Sequence, residues 1–262
     1  MERGRCNMGT EINDFTSKML DMEFVELEGF KFYIRKDSSD ESILDDNIVR
    51  KVILKHLSID KDSCWIDCGG YIGTFSALLA SKGAKVFAVE ADPLHVTLYK
   101  LNMNLNGYQD NIICCGLVDS DSSRLQYMTV NVKKSGKGLN VAANTLITKW
   151  KTERPTFPVY CIKLTQLLQI AENTLGESNN WNIKFDIEGS EIPILEEADF
   201  SKFKQMYIEY HFNADRSIDR AEKVIARLKE QGFTVYQNHK LPNVATWDWF
   251  PATLVLWCKR EN

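Results

Sequence analysis

The 262-residue sequence contains no run of about 18 consecutive apolar residues, the length a membrane-spanning helix needs. No span is therefore expected. Its seven cysteines, an odd number, include no Cys-x-x-Cys pair. Cys64, Cys68, Cys114, Cys115 and Cys258 fall inside apolar stretches, where a reduced thiol packs as a small hydrophobe. That usage excludes a disulfide scaffold and fits a reducing compartment. The four histidines, His56, His95, His211 and His239, do not approach the cysteines at zinc-ligand spacing. Neither sign of charge prevails, since 32 Lys and Arg face 36 Asp and Glu for a net charge of -4. A general nucleic-acid or anionic-membrane binder would need a basic face, and only Lys133, Lys134 and Lys137 gather locally. The opening MERGRCNMGTEINDF has no apolar core of the signal-peptide kind. The expectation is a soluble, cytoplasmic protein with no nucleic-acid partner.

What is present is a globular composition, 44% hydrophobic and 26% charged. The length suits one large domain or two small ones, at about 150 residues each. Phe24–Ile34 (FVELEGFKFYI) alternates as a hairpin does, and Ile43–Leu57 sets Ile43, Leu44, Ile48, Val52, Ile53 and Leu57 near one helical face. Cys64–Cys68 then reads as a strand, Thr74–Ser81 as a helix and Lys85–Ala91 as a second strand. Pro93 opens the next helix, where its missing N–H is tolerated, and Gly107 stops it after Asn106. Asn111–Val118 is a third strand.

The pattern breaks between Asp119 and Leu164, where Leu125–Val132 and Pro158–Ile162 read as extra strands. It resumes with strand Trp181–Asp186, helix Glu191–Ala198, strand Gln205–Phe212, helix Ile218–Gln231 and strands Phe233–Asn238 and Thr253–Lys259. Such alternation predicts an α/β fold, a mostly parallel sheet with helices on both faces. We read residues 1–60 as an extension packing on one domain, 61–262, with an inserted segment at about 120–164.

Chemistry concentrates at three strand ends. The first strand runs into Asp67-Cys68-Gly69-Gly70-Tyr71-Ile72-Gly73. Glycines there let the backbone approach a ligand. Glu90 ends the second strand 21 residues after Gly69, where an acid accepts hydrogen bonds from ribose hydroxyls. A dinucleotide fold prefers G-x-G-x-x-G with a pyrophosphate on the helix N-terminus. Asp67 just before the turn would repel a pyrophosphate but suit a cationic amino group. S-adenosylmethionine has an amino group and a sulfonium and no phosphate, so the acid-first turn favours it.

The second constellation is Asp186-Ile187-Glu188-Gly189-Ser190-Glu191, at the carboxyl end of the fourth main strand, beyond which open α/β sheets bind ligands. Asp186 is a candidate for function, whereas Glu191 could equally complement a helix N-terminus. The third is Ile208-Glu209-Tyr210-His211, ending the next strand. Asp186, Glu209 and His211 form the catalytic candidates, with His211 as base and Asp186 orienting it. They could instead hold a divalent cation, but the metal-free arrangement is preferred. His56, His95 and His239 have no comparable setting and receive no role.

At these residues the sequence resembles the FkbM-type family of S-adenosylmethionine-dependent methyltransferases. The resemblance runs from about Phe32 to Phe212 through FYIRKDSSDESIL, WIDCGGYIGTFSALLA, VFAVEADP, LNMNLNG and IKFDIEGSEIPIL, the last being the most specific. It implies the Rossmann-like class I methyltransferase fold, a seven-stranded sheet of order 3-2-1-4-5-7-6 with an antiparallel last strand.

It also implies that Asp67, Gly69, Gly70 and Gly73 line the methionine part of the cofactor, with Tyr71 inside that turn. Glu90 would hold the ribose, with Asp92 just beyond it, and Leu117 to Asp119 would meet the adenine. Asp186 and Glu188 would sit near the transferred methyl. Two positions depart from the family pattern. Tyr71 stands where asparagine is usual, and Thr165 where aspartate often precedes the fourth main strand.

FkbM-like enzymes methylate hydroxyls of sugars and polyketide-type products, so the implied acceptor is a glycan or a small molecule. Trp247, Asp248, Trp249 and Phe250 could stack on a sugar ring or plug the sheet edge. A nucleic-acid methyltransferase would show an N-P-P-Y-like turn or a basic face, and neither is evident. A nicotinamide oxidoreductase is disfavoured by Asp67. Thiol titration of the native protein should find few reactive cysteines, Cys6 first. Several thiols released only by dithiothreitol would contradict the reduced state.

Overall fold

Strands and helices alternate along the chain in a computed structural model that describes residues 21–119, 124–130, 134–135, 138–139, 144–146, 155–212, 217–241 and 253–261. A hairpin, β1 (Met22–Leu27) and β2 (Phe30–Arg35), precedes the short helix α1 (Asp40–Leu44). Next come β3 (Cys64–Cys68), α2 (Thr74–Ser81), β4 (Lys85–Glu90), α3 (Pro93–Leu105), β5 (Ile112–Cys114) and β6 (Gly116–Val118). The middle of the chain contributes β7 (Leu125–Thr129), the two-residue strands β8 (Lys134–Ser135) and β9 (Gly138–Leu139), β10 (Thr156–Lys163) and α4 (Leu164–Leu175). Then follow β11 (Trp181–Phe185), α5 (Glu191–Glu197), β12 (Phe203–His211), α6 (Ile218–Glu230), β13 (Thr234–Gln237) and β14 (Thr253–Lys259).

The main sheet has seven strands in the order β5-β4-β3-β11-β12-β14-β13. Numbered along the chain this is 3-2-1-4-5-7-6. Only β14 runs against its neighbours. The fold is therefore the Rossmann-like class I methyltransferase arrangement. No described helix is long and apolar enough to cross a membrane.

Strands β3 and β11 are buried at every position because helices cover both faces. Alternate residues supply the two layers. Cys64, Ile66, Cys68, Ile183 and Phe185 pack with Leu167 of α4, Leu195 of α5 and Val224 of α6. On the opposite face Trp65 and Val86 pack with Phe75 and Leu79 of α2 and with Trp257. Helix ends follow ordinary capping. Asp92 caps α3 by accepting from Leu94 N at 2.8 Å, with Pro93 at its first turn. Ser217 caps α6 through Arg220 N.

The structure departs from the sequence pattern in three places. Ile43–Leu57 is no single helix but α1, a π-turn at Asp45–Val49 and a 3-10 turn at Val52–Lys55, broken at left-handed Lys51 (φ 51). Ile48 joins the cluster of Phe32 and Leu44, while Ile53 joins that of Trp65 and Trp257, so the chain turns between two cores. The Asn111–Val118 strand divides at Cys115: β5 edges the main sheet, and β6 pairs with β10 in a separate three-stranded sheet with β7. Helix α4 had no counterpart in the sequence reading, although Leu164, Leu167 and Ala171 recur at helical spacing and are buried. The six described cysteines are free, and Cys114, unlike the other five, is exposed.

The hairpin is fastened to the sheet by side chains that serve its backbone. Asn102 of α3 accepts from Tyr33 N at 2.7 Å and donates to Tyr33 O and to Ile72 O in the glycine turn. One turn on, Asn106 accepts from Lys31 N and donates to Lys31 O. The asparagines of LNMNLNG thus satisfy an edge that β2 would otherwise present unpaired. A buried ion pair completes the join. Arg35 donates through Nε and Nη2 to both oxygens of Asp40, at 2.9 and 2.8 Å, and Tyr71 Oη donates to the same carboxylate. Removing one member of such a pair strands the other charge. Asp40→Asn should lower unfolding stability by about 3–5 kcal/mol in urea titration, and a loss below ~1 kcal/mol would show that the pair is solvated.

Candidate active site

Asp67 and Lys184 are register partners on the neighbouring strands β3 and β11. Lys184 Nζ lies 3.1 Å from Asp67 Oδ1, donates to Gly69 O at 2.9 Å and stands 3.4 Å from Asp186 Oδ2. Burial opposes its charge, but Asp67 and Asp186 outweigh it and hold the ammonium pKa above its ordinary value. Asp67 is fully buried and also accepts from Ser76 Oγ at 2.7 Å. Its carboxylate thus sits beneath the turn and lines neither cavity described below.

Gly69 has φ +85, and a Cβ there would fall 1.9 Å from the carbonyl oxygen of Asp186. Only glycine fits. The glycine turn and the end of β11 are therefore in direct backbone contact. Gly73, at φ +88, precedes α2, and Gly70 packs against Ala88 and Tyr99. Tyr71 adopts φ 49, and its phenol turns to Arg35 and Asp40.

One small cavity, about 50 Å³, opens beside this turn. Glu90 stands on its wall with both oxygens already engaged, Oε1 by Asp92 N at 2.8 Å and Oε2 by Tyr71 N at 3.0 Å. His95 Nδ1 is 3.6 Å from Oε1. Burial pushes the Glu90 pKa up, but His95 and the two N–H groups more than offset it, so the carboxylate is held ionised below its usual range. A carboxylate offers about four lone-pair sites, so Glu90 retains capacity for two hydroxyls. Val89, Ala91, Leu117, Met128 and Leu146 give the rest of the wall an apolar character. The lining joins an apolar wall to a carboxylate that can accept from vicinal hydroxyls, the two surfaces an adenosine calls for. Asp92 is taken up by the α3 cap and by Asn144 Nδ2 at 2.9 Å, and half-buried Asp119 lines neither cavity.

A second cleft, about 340 Å³, adjoins the first cavity. Gly69, Glu90, Asp186 and Glu188 line both spaces. The cleft adds Glu209 and Tyr207 from β12 and Phe75 from α2, and its far wall is Ile43, Asp46, Asn47, Val52 and Ile53 of the extension. Where the two meet, strand ends bring acids together. His211 Nε2 lies 3.6 Å from Glu188, 3.9 Å from Asp186 and 4.0 Å from Glu209. The catalytic candidates Asp186, Glu209 and His211 are thus one cluster, though buried His211 faces the cleft only across its carboxylate neighbours.

Burial and the neighbouring carboxylates raise Glu188 to about 8, against the pull of His211. Burial and Asp186 raise Glu209 to about 7. For His211 burial works downward, but Glu191 and Glu188 prevail and lift the imidazole well above 6.5. These carboxylate neighbours favour the protonated ring, which weakens His211 as the base the sequence suggested.

Three residues of the site were missed. Glu191 is no surface cap. Fully buried, it accepts from Gly189 N through Oε2 at 2.8 Å and from His211 N through Oε1 at 2.8 Å, with His211 Nδ1 3.1 Å from Oε1. Its place in the DIEGSE run was the available signal. Lys184 needed the strand register, which no local pattern reveals. His95, given no role, lines the first cavity beside Glu90 and meets Tyr71 edge-on. Trp247–Phe250, Lys133 and Lys137 lie outside the described residues, and only the backbone of Lys134 is described.

Residues 67–235 match the family model of the methyltransferase FkbM domain. No curated protein matches the chain. Among solved structures, the chain is similar to an S-adenosylmethionine-dependent methyltransferase from Agrobacterium tumefaciens, with 12% identity, TM-score 0.46, and 92% of this chain and 71% of that chain covered. It is similar to precorrin-6y C5,15-methyltransferase from Geobacter metallireducens, with 12% identity, TM-score 0.43, and 81% and 88% covered. It is also similar to the tRNA (uracil-54, C5)-methyltransferase of Pyrococcus abyssi, solved with S-adenosyl-L-homocysteine, with 13% identity, TM-score 0.43, and 91% and 44% covered.

Glu90→Ala should weaken S-adenosylmethionine binding by about 1.5–3 kcal/mol through lost charge-assisted hydrogen bonds. Calorimetry on a variant of unchanged melting temperature measures it, and unaltered affinity would remove Glu90 from the ribose contact.

Proposed function

The chain belongs to the FkbM methyltransferase family and uses S-adenosylmethionine, and we propose that it methylates a hydroxyl of an uncharged sugar, glycan or small natural product. The observation that carries this reading is the wall of Gly69, Glu90, Asp186 and Glu188 shared by two unlike spaces. One has the apolar and acidic surfaces an adenosine needs. The other is a cleft whose described lining sets Asp46, Glu90, Asp186, Glu188 and Glu209 against the ammonium of Lys184. Phosphate-bearing acceptors would be repelled there, which argues against nucleic acid. Tyr207, Phe75, Ile53 and Val255 offer apolar faces beside those acids, a pairing that suits a sugar ring.

When bound, S-adenosylmethionine supplies a methyl group on a positively charged sulfur. Glu90 would hold its ribose, and the Gly69 turn, fixed by Lys184, would lie along its methionine end. Asp67 acts from beneath, by anchoring Lys184 and Ser76. The acceptor hydroxyl would enter from the cleft and meet Asp186 and Glu209. An alcohol holds its proton about as tightly as water, pKa ~15.7, so a positioned base contributes roughly 10²–10⁴-fold. The proton passes to a cleft-facing carboxylate, Glu209, while Asp186 orients the oxygen and His211 stands behind both. Residues 61–262 form the catalytic domain in this reading, and the extension walls the acceptor cleft. The free cysteines fit the cytoplasm.

The test is transfer of labelled methyl from S-adenosylmethionine to three panels: neutral glycans and hydroxylated small molecules, tRNA, and peptides. A base-stable methyl ether confined to the first panel is expected. Label found only in RNA or peptide would overturn the assignment of the acceptor.

A further inference from the structure

The carboxylates at the junction outnumber the cations that face them. Asp186, Glu188, Glu191 and Glu209 all lie within 4.0 Å of the His211 ring nitrogens. Among the described residues the other cation there, Lys184, is shared with Asp67 and the Gly69 carbonyl. From this geometry we propose that Asp186, Glu188 and His211 bind one divalent cation where the cofactor cavity meets the acceptor cleft.

Three observations converge on it. One ligand atom from each of Asp186, Glu188 and His211 lies within 4.8 Å of the others. Adjacent ligands of an octahedral ion with bonds of about 2.0–2.1 Å stand ~3 Å apart. The His211 separations of 3.6 Å to Glu188 and 3.9 Å to Asp186 need only modest contraction.

Second, the imidazole is aimed. Buried Glu191 engages Nδ1 at 3.1 Å and is itself fixed by the N–H groups of Gly189 and His211. This leaves Nε2, on a side chain 4% exposed, pointing among the carboxylates with none of them within hydrogen-bonding distance. A carboxylate behind a histidine is the arrangement that orients metal-ligating imidazoles. Third, Glu188 holds a left-handed backbone, φ 55, uncommon for a residue with a Cβ, and Thr145 Oγ1 pins its carbonyl at 2.8 Å. That conformation brings its carboxylate to within 3.6 Å of His211 Nε2.

Two carboxylates and one imidazole suit a hard to borderline ion such as Mg²⁺ or Mn²⁺. Three protein ligands leave positions open, and a cation there would hold the acceptor's hydroxyl oxygen and ease loss of its proton. That use of the ion rests on the methyl-transfer reading; its binding does not. Glu191 is a positioning residue.

The experiment is titration of the full chain, stripped with EDTA and dialysed, with Mn²⁺ followed by electron paramagnetic resonance and calorimetry. One Mn²⁺ per chain is expected. Glu188→Gln should weaken it at least tenfold, and Glu191→Gln by about 10–100-fold, each with melting temperature checked. Should Glu191→Gln fail to fold, Glu188→Gln and Asp186→Asn, at half-buried positions, carry the test. No bound Mn²⁺, or affinity unchanged in both of those variants, would overturn the site. Binding of S-adenosylmethionine by the stripped chain, measured separately, reports on the methyl-transfer reading, so the two can fail independently.

Discussion

A single buried ammonium holds the two halves of the site together. Lys184 Nζ ties the Gly69 carbonyl, at the end of β3, to Asp186, at the end of β11, and is itself balanced by Asp67 below. Without that charge, the Asp67 and Asp186 carboxylates would face each other across adjacent strands. The contact also explains why Gly69 cannot carry a side chain, since the turn presses on the carbonyl of Asp186. The lysine therefore sets the spacing between the glycine turn after the first strand and the carboxylates that end the fourth. Buried ion pairs contribute little net stability, and this one is better understood as fixing geometry.

The same logic extends outward as a chain of buried acids, each held by donors that leave one face free. Glu90 is gripped by the N–H of Asp92 in its own turn and by that of Tyr71 in the glycine turn, which orients it toward the first cavity. Glu191 is gripped by two N–H groups and fixes the His211 ring, which then faces Asp186, Glu188 and Glu209. Carboxylates crowd here because β11 and β12 are parallel neighbours whose carboxyl ends open on the same side.

Legibility in the sequence followed the range of the interaction. The strand order, and with it the grouping of Asp186 with His211, was legible through the family resemblance, and Pro93 marked the start of α3. Helix α4 was legible too and was passed over, its apolar spacing hidden beside an irregular segment. The break at Lys51 was not legible, because the apolar stripe of Ile43–Leu57 is continuous in sequence yet serves two separate cores. Asp67 was read as an open anion, but its partner lies 117 positions away on another strand. His95 and Glu191 were undervalued for a related reason. Their importance comes from the carboxylate or imidazole that tertiary structure sets beside them.

The division of the site between two parts of the chain bears on what it can accept. Gly69, Glu90, Asp186 and Glu188 come from the sheet and are common to both spaces, so they suit steps that every acceptor must undergo. The far wall of the cleft comes from Ile43, Asp46, Asn47, Val52 and Ile53, which precede the sheet. That wall is held at both ends, by Leu44 and Ile48 in one cluster and by Ile53 and Leu57 in another. Asn47 Nδ2 also donates to Thr74 Oγ1 at 2.8 Å, which links the wall to the first turn of α2. A wall anchored in this way presents a fixed shape. Asp46 and Val52 face the cleft and belong to neither cluster, so they can differ without disturbing either core. The cleft therefore pairs a wall from the extension with acids fixed by the sheet.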